Sequence, residues 1–453
     1  MLVHGKKKIF LAILTILMIV GTVIYKSSNG TMKDPRDGKT YRTVKIGNQV
    51  WMAENLDFDY NVGSAKSYCY EDKPENCQKY GRLYTWSAAM DSAALFSTGG
   101  QGCGKGKTCT TVEDVRGVCP EGWALPTIED WTDLFKALGG QAVAGEKLKS
   151  NQGWNNNGDG TDDFSFTAIP AGNEDCFGTG QYYNMGDHAF FWSSSENSDL
   201  FAYQMYLGSY YKNSWLENRF SKSCGYSVRC IKKKSNARPR VTSASGTGSI
   251  TDYRDGKTYK TVNIGNQTWM AENLNYDYNV GSAKSYCYNN KQSNCEDYGR
   301  LYTWAAAIDS AALFSKSAKG CGIGDDKCWM MPPIQGVCPE GWHVPTSAEL
   351  QILVNIAKKT QSSFKALLAT AGWNRNGYGT DDFSFSLFPA GLRYHQHQRF
   401  THKGDCAYLW TADSYDGWNN NSLGAVFHWL SHDTYPLPNI NKKDALSIRC
   451  IKD

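Results

Sequence analysis

The chain has 453 residues, too long for one core and about the length of two or three domains. Its 48 Lys+Arg against 44 Asp+Glu leave +4, which excludes a strongly basic nucleic-acid binder and an acidic disordered tail. The 15 Cys, 15 Trp and 27 Tyr against 10 Met point to an oxidised, loop-rich, β-containing secreted protein rather than a cytosolic enzyme.

At the N-terminus, Lys6, Lys7 and Lys8 precede an apolar run from Ile9 to Tyr25. A polar stretch, Lys26 to Lys33, follows. A basic flank followed by one apolar helix is the pattern of a secretory signal or a signal anchor. There is no clear small-x-small cleavage site and no lipid-accepting Cys, which favours an uncleaved membrane anchor over residues 1–33. Either version places Asp34 onward outside the cytoplasm.

The remainder is one unit written twice. Arg36-Asp37-Gly38-Lys39-Thr40-Tyr41 recurs from Arg254, and Trp51-Met52-Ala53-Glu54-Asn55-Leu56 recurs from Trp269. Tyr80 to Trp86 recurs as Tyr298 to Trp304, and Gly117 to Trp123 as Gly336 to Trp342. So long a period is domain duplication rather than a solenoid. The domains are expected at 34–232 and 252–453. Between them, 233–251 is rich in Lys, Arg, Ser and Gly and reads as a flexible linker.

Each copy reads as α+β. Tyr41 to Met52 predicts a hairpin turning at Gly47-Asn48. A helix is expected from near Leu83 towards Leu95. Another follows Leu125-Pro126, with Thr127 as cap and Trp131, Leu134, Phe135 and Leu138 at helical spacing. Thr346 and Glu349 repeat that signal as a capping box. The C-terminal half of each copy, rich in Gly, Asn, Ser and Tyr, is expected to form short strands and long loops. Tyr226 to Ile231 and Ser447 to Ile451 read as closing strands.

The duplication also sorts the cysteines. Cys69, Cys77, Cys103, Cys109, Cys119 and Cys230 have counterparts at Cys287, Cys295, Cys321, Cys328, Cys338 and Cys450. The expected bridges are Cys69–Cys77, Cys103–Cys109 and Cys119–Cys230, with Cys287–Cys295, Cys321–Cys328 and Cys338–Cys450 in the second copy. Cys176 and Cys224 are private to the first copy, with approximate equivalents His395 and Asp444. Their joint absence from the second copy suggests that they bond to each other. Cys406 is left over and reads as a buried thiol. Zinc is the competing reading, but no C-x-x-C exists and the compartment disfavours it.

The combination Gly-Asn-Gln-x-Trp-Met-Ala-Glu-Asn-Leu, Tyr-Gly-Arg-Leu-Tyr-Thr-Trp, Gly-Val-Cys-Pro-Glu-Gly-Trp and Ser-(Val/Ile)-Arg-Cys-Ile-Lys resembles the Fibrobacter succinogenes major paralogous domain over both copies. The resemblance implies a bacterial exported protein. Gly122-Trp123-Ala124-Leu125-Pro126-Thr127, with a helix behind it, also resembles the Leu-Pro-Thr segment of C-type-lectin-like domains. Lectins and formylglycine-generating enzymes share that fold, so it does not fix function.

The sequence offers three kinds of candidate site. Gly153 to Asp163 is dense in oxygen ligands of the kind calcium prefers, and Asn155, Asn157, Asp159 and Gly160 match the opening of an EF-hand loop. Phe166 stands where the bidentate Glu belongs, and the third ligand position in the second copy is Tyr378. The Glu-Pro-Asn or Gln-Pro-Asp tripeptide of calcium-dependent lectins is absent. In the calcium reading the ligands are Asp162, Asp163, Asp381 and Asp382, because they recur; otherwise these residues simply make turns. The second candidate is an aromatic surface for the C–H faces of sugars. Five Trp pairs recur (51/269, 86/304, 123/342, 154/373 and 192/410) and are assigned to the core. The private aromatics Tyr182, Tyr183, Tyr210, Tyr211, Trp215, Tyr394, Trp418 and Trp429 are the surface candidates, in loops where binding residues concentrate. The third candidate is catalysis. No Gly-x-Ser-x-Gly, His-Glu-x-x-His or phosphate-binding loop occurs. A His395/His397/Cys406 metal cluster is the nearest alternative.

These readings converge on a non-catalytic, anchored cell-envelope protein with no cofactor beyond calcium. Two disulfide-stabilised C-type-lectin-like domains would bind a glycan or a cell-surface protein, with avidity from the pair. The competing expectations are an enzyme on the formylglycine-generating fold, which needs a reactive thiol pair, and a purely structural envelope protein.

Overall fold

A computed structural model describes residues 30–109, 115–232, 247–322, 330, 333–374, 379–414, 421–428 and 434–453. Two sheets build the first copy. One has the order β1 (Gly30–Lys33), β2 (Thr40–Ile46), β3 (Gln49–Met52), β13 (Ile231–Lys232), β6 (Trp123–Ala124). The other runs β11 (Trp215–Ser221), β10 (Phe201–Gly208), β9 (His188–Glu196), β12 (Tyr226–Ser227), β5 (Leu83–Tyr84), β4 (Ser67–Tyr68). Beside β9 lie β7 (Ala171–Glu174) and then β8 (Tyr182–Met185). The second copy repeats the first sheet strand for strand, from Thr247–Asp252 to Trp342–His343.

The recurring motifs are the joints of this fold. In the predicted hairpin, Ile46 faces Gln49 across the Gly47-Asn48 turn. The Gln49 amide donates to the Asp130 carbonyl (3.0 Å), and the Trp51 indole donates to Gln49 Oε1 (3.2 Å). Trp51 stacks on Trp131 at 4.6 Å, so the hairpin and the helix Ile128–Ala137 share one core. Thr127 and Asp130 form a capping box, as do Thr346 and Glu349 before the helix Ser347–Lys358.

Arg229 explains why Asn55 and Ser-x-Arg-Cys recur together. The side chain is fully buried; Nε donates to Asn55 Oδ1 (2.8 Å), Nη2 to the Thr167 carbonyl (2.7 Å), and Nη1 to the Phe166 carbonyl. Asn55 in turn donates to the Tyr80 carbonyl (2.8 Å). Arg449 repeats this through Asn273, Phe385 and Ser386. Gly81 (φ +75) passes so close that a Cβ would sit 2.5 Å from Asn55 Cβ. Gly117 (φ +56) lies equally tight against the Ala89 carbonyl. All ten recurring tryptophans are at most 5% exposed, as core residues should be.

Four expectations need correction. The helix from Leu83 to Leu95 is a strand (β5), then one helical turn, Trp86–Ala89. Asp91 ends it: its carboxylate collects the amides of Leu95, Phe96 and Ser97 (2.7–2.9 Å) and the Tyr60 hydroxyl (2.7 Å). The C-terminal half carries long strands, β9 to β11, rather than short strands in long loops. The middle of β9 is buried on both faces, so it lacks the alternation that marks a half-exposed strand. The closing segment is two short strands in different sheets rather than one. Residues 30–33 and 247–251, assigned to the leader and linker, lie in the edge strands Gly30–Lys33 and Thr247–Asp252, which pair with Thr40–Thr43 and Lys257–Val262.

The bridges Cys69–Cys77, Cys103–Cys109, Cys119–Cys230, Cys176–Cys224, Cys287–Cys295 and Cys338–Cys450 form. Cys328 lies outside the described residues. Cys406 is free and buried. Where the first copy has Cys176–Cys224, the second has His395 and Asp444: the His395 amide and Nδ1 both meet Asp444 Oδ1 at 2.8 Å. The helices Ile128–Ala137 and Ser347–Lys358 meet in a cluster of Ile128, Ala348 and Ile352, with Tyr203 of β10 packed among them. Among the described residues no helix is long and apolar enough to cross a membrane; the apolar run Ile9–Tyr25 lies outside them.

Candidate functional site: an aromatic face on the first copy

Antiparallel registry places Phe190 opposite Tyr206 and Tyr206 opposite Trp215, a row across β9, β10 and β11. Ring centroids are 5.2 and 5.1 Å apart along it. Phe190 is buried and stacks on Tyr226 at 4.8 Å, so the row is rooted in the core. Tyr206 and Trp215 are half-buried. The β10–β11 turn adds Tyr211, perpendicular to Trp215 at 4.9 Å, and Tyr210, 69% exposed. His188 stacks on Tyr206 at 5.3 Å, with Nδ1 2.8 Å from the tyrosine hydroxyl.

Burial lowers the His188 pKa, more than Asp187 restores, so the imidazole is neutral near pH 7. Burial likewise raises the Tyr206 phenol above its ordinary range. The face therefore offers rigid rings, a hydroxyl and a neutral imidazole: equipment for stacking and hydrogen bonding rather than proton transfer.

Of the sequence candidates, Tyr210, Tyr211 and Trp215 come together, although Trp215 is on a strand rather than a loop. Tyr182 and Tyr183 are also on a strand, β8, and alternate between its faces. Tyr182 packs on Tyr70 (5.2 Å) and donates to Asp72 (2.6 Å); Tyr183 is 46% exposed and donates to Gln181. Tyr394, 42% exposed, ends the strand Leu392–Tyr394. Trp418 and Trp429 lie outside the described residues. Tyr206 and His188 join this face from outside the set of private aromatics. A hairpin centred on residues 210 and 211 pairs Tyr206 with Trp215, a signal the sequence does carry.

The recurrence of the acidic pairs has a local cause. Asp162 accepts the amide and hydroxyl of Thr167 (2.7 and 2.8 Å), and Asp381 does the same with Ser386 (2.7 and 2.6 Å). Burial raises both carboxyl pKa values. Asp163 and Asp382 are exposed. Among the described residues, no group of three or more His, Cys, Asp or Glu is placed to hold a metal. His395 belongs to Asp444 and His397 is exposed, so these do not gather with buried Cys406.

Fold and site together define a tandem, disulfide-bonded, β-rich module with a few short helices. The chain belongs to the Fibrobacter succinogenes major domain family, whose model matches residues 44–232 and 262–452. No curated protein and no solved structure matches it.

Proposed function

We propose that this is a non-catalytic, exported protein of the cell envelope, held to the membrane by its N-terminal apolar run Ile9–Tyr25, that binds a glycan through the aromatic face of its first copy. The observation that carries this is the row Tyr206–Trp215–Tyr211, half-exposed yet rooted on buried Phe190. Sugar rings stack on such surfaces, and pre-ordered rings lose little entropy on binding. The neighbouring hydroxyl and imidazole supply hydrogen bonds at the edge. A C-type-lectin-like fold accords with the two sheets of the first copy and its capped helix after Leu125-Pro126-Thr127. The disulfides accord with an oxidising, extracytoplasmic setting. Retention of the whole chain on insoluble plant polysaccharides and on peptidoglycan is the test. The reading expects retention on at least one of them, weakened tenfold or more by Trp215→Ala. Equal behaviour of the variant and the parent would overturn it.

A further inference from the structure

A buried cation lies beside the aromatic face, at a position where the second copy has an apolar residue. Lys149 is 3% exposed. It forms a parallel bridge to Ala168, which the second copy repeats as Leu368 with Leu387. A Cβ added at Gly160 would strike the Lys149 carbonyl, as one at Gly379 would strike that of Leu368. The second copy therefore fills the same buried position with leucine, and the surrounding fold needs no cation there. Burying an ammonium group is costly unless its donors find acceptors.

The acceptors lie in the β10–β11 turn. Lys149 Nζ donates to the Tyr211 carbonyl (2.9 Å) and to the Gly208 carbonyl (3.3 Å), and sits 5.2 Å from the Trp154 ring. Burial pushes its pKa down, and Glu146 and Asp159 offset only part of that. Gly208 stands at the foot of the face: a Cβ there would meet the Tyr206 hydroxyl at 2.8 Å and Tyr211 Cδ2 at 2.9 Å. Beyond Tyr211, the turn leans on the helix Gln141–Leu148. The Ser214 amide donates to the Gln141 carbonyl (3.0 Å), and the Glu146 amide to the Lys212 carbonyl (2.7 Å). One buried ammonium thus ties both ends of the stretch 208–211, which carries Tyr210 and Tyr211 next to Trp215.

We propose that Lys149 is a positioning residue for the aromatic face: by fixing the Gly208 and Tyr211 carbonyls, it holds the Tyr211 ring against Trp215 before any ligand arrives. Pre-ordering of this kind reduces the entropy lost on binding. Leucine fills the same space but can hold no carbonyl. The consequence for affinity rests on the glycan reading; the hold on the turn does not.

Two variants of the whole chain test it: Lys149→Met, which keeps an unbranched side chain but removes the donors, and Lys149→Leu, the residue type of the second copy. Hydrogen exchange resolved by peptide is expected to speed up at least tenfold across residues 209–214, with the hairpin Thr40–Met52 unchanged. Retention on the insoluble plant polysaccharide or peptidoglycan that holds the parent is expected to weaken at least threefold, although Trp215 is intact. Unchanged exchange of the turn in Lys149→Met would overturn the proposal. So would equal acceleration in the turn and the hairpin, the mark of a lysine that merely stabilises the domain. A loosened turn with undiminished retention would overturn it as well. A parent that neither material retains would defeat the glycan reading instead, and the exchange comparison would still decide whether Lys149 holds the turn.

Discussion

The most discriminating prediction concerns Cys176–Cys224, a crosslink whose place in the second copy is taken by His395 and Asp444. Cys176–Cys224 closes a segment with a sequence separation of 48 residues. In the chain-entropy account, removing such a loop constraint costs about 4 kcal/mol. The second copy holds the same place with His395 and Asp444, and the His395 side chain is 25% exposed. His395→Ala leaves the backbone amide bond to Asp444 in place and removes only the ring contact. A partly solvated hydrogen bond of that kind is worth about 1 kcal/mol. The double variant Cys176→Ser/Cys224→Ser should therefore weaken the first copy by about 3 kcal/mol more than His395→Ala weakens the second, roughly a hundredfold in opening equilibrium. Hydrogen exchange resolved by peptide on the intact chain reads the two copies separately. Equal losses, or a loss below about 1 kcal/mol in the double variant, would refute the idea that this bridge acts by restraining the unfolded chain.

Three further outcomes follow from named contacts. Arg229→Met strands Asn55 Oδ1 and the Phe166 and Thr167 carbonyls, and should cost about 3–5 kcal/mol in urea unfolding; Arg449→Met should cost as much in the second copy. His343 has no first-copy counterpart, since Ala124 stands there. Burial alone would lower its pKa, but Glu349 and then Asp453 outweigh that and raise it to about 9. The folded value exceeds the ordinary 6.5, so the stabilisation, at most about 3 kcal/mol, is complete below pH 6.5 and lost as pH rises through 9. His343→Gln should flatten that part of the stability–pH curve. Thiol titration should find one reactive cysteine per chain in denaturant and none in the native protein, because Cys406 is buried and burial raises its pKa. Two thiols reacting natively would instead favour a redox-active pair and an enzyme.

What was legible in the sequence was mostly local or duplicated. The Gly47-Asn48 turn, the Thr127 and Thr346 caps and the bridges announce themselves within a few residues or by recurrence. Asp91 defeated the helix expected at Leu83–Leu95, because a side chain that captures three amides ends a helix without Gly or Pro. The long strand β9 was obscured because its middle is buried on both faces. At the site, recurrence separated core tryptophans from private ones, and Trp215 was found that way. Asp162 and Asp381 recur as well, each accepting the amide and hydroxyl of the residue five positions on.

The central claim is that the half-exposed rings of Tyr206, Trp215 and Tyr211 bind sugar. A glycan array probed with the intact protein, beside Trp215→Ala and with calcium present or chelated, tests it most directly. The account predicts a defined set of bound glycans, lost or weakened at least tenfold in Trp215→Ala and indifferent to calcium. An unchanged pattern in the variant, or no bound glycan under either condition, would contradict it.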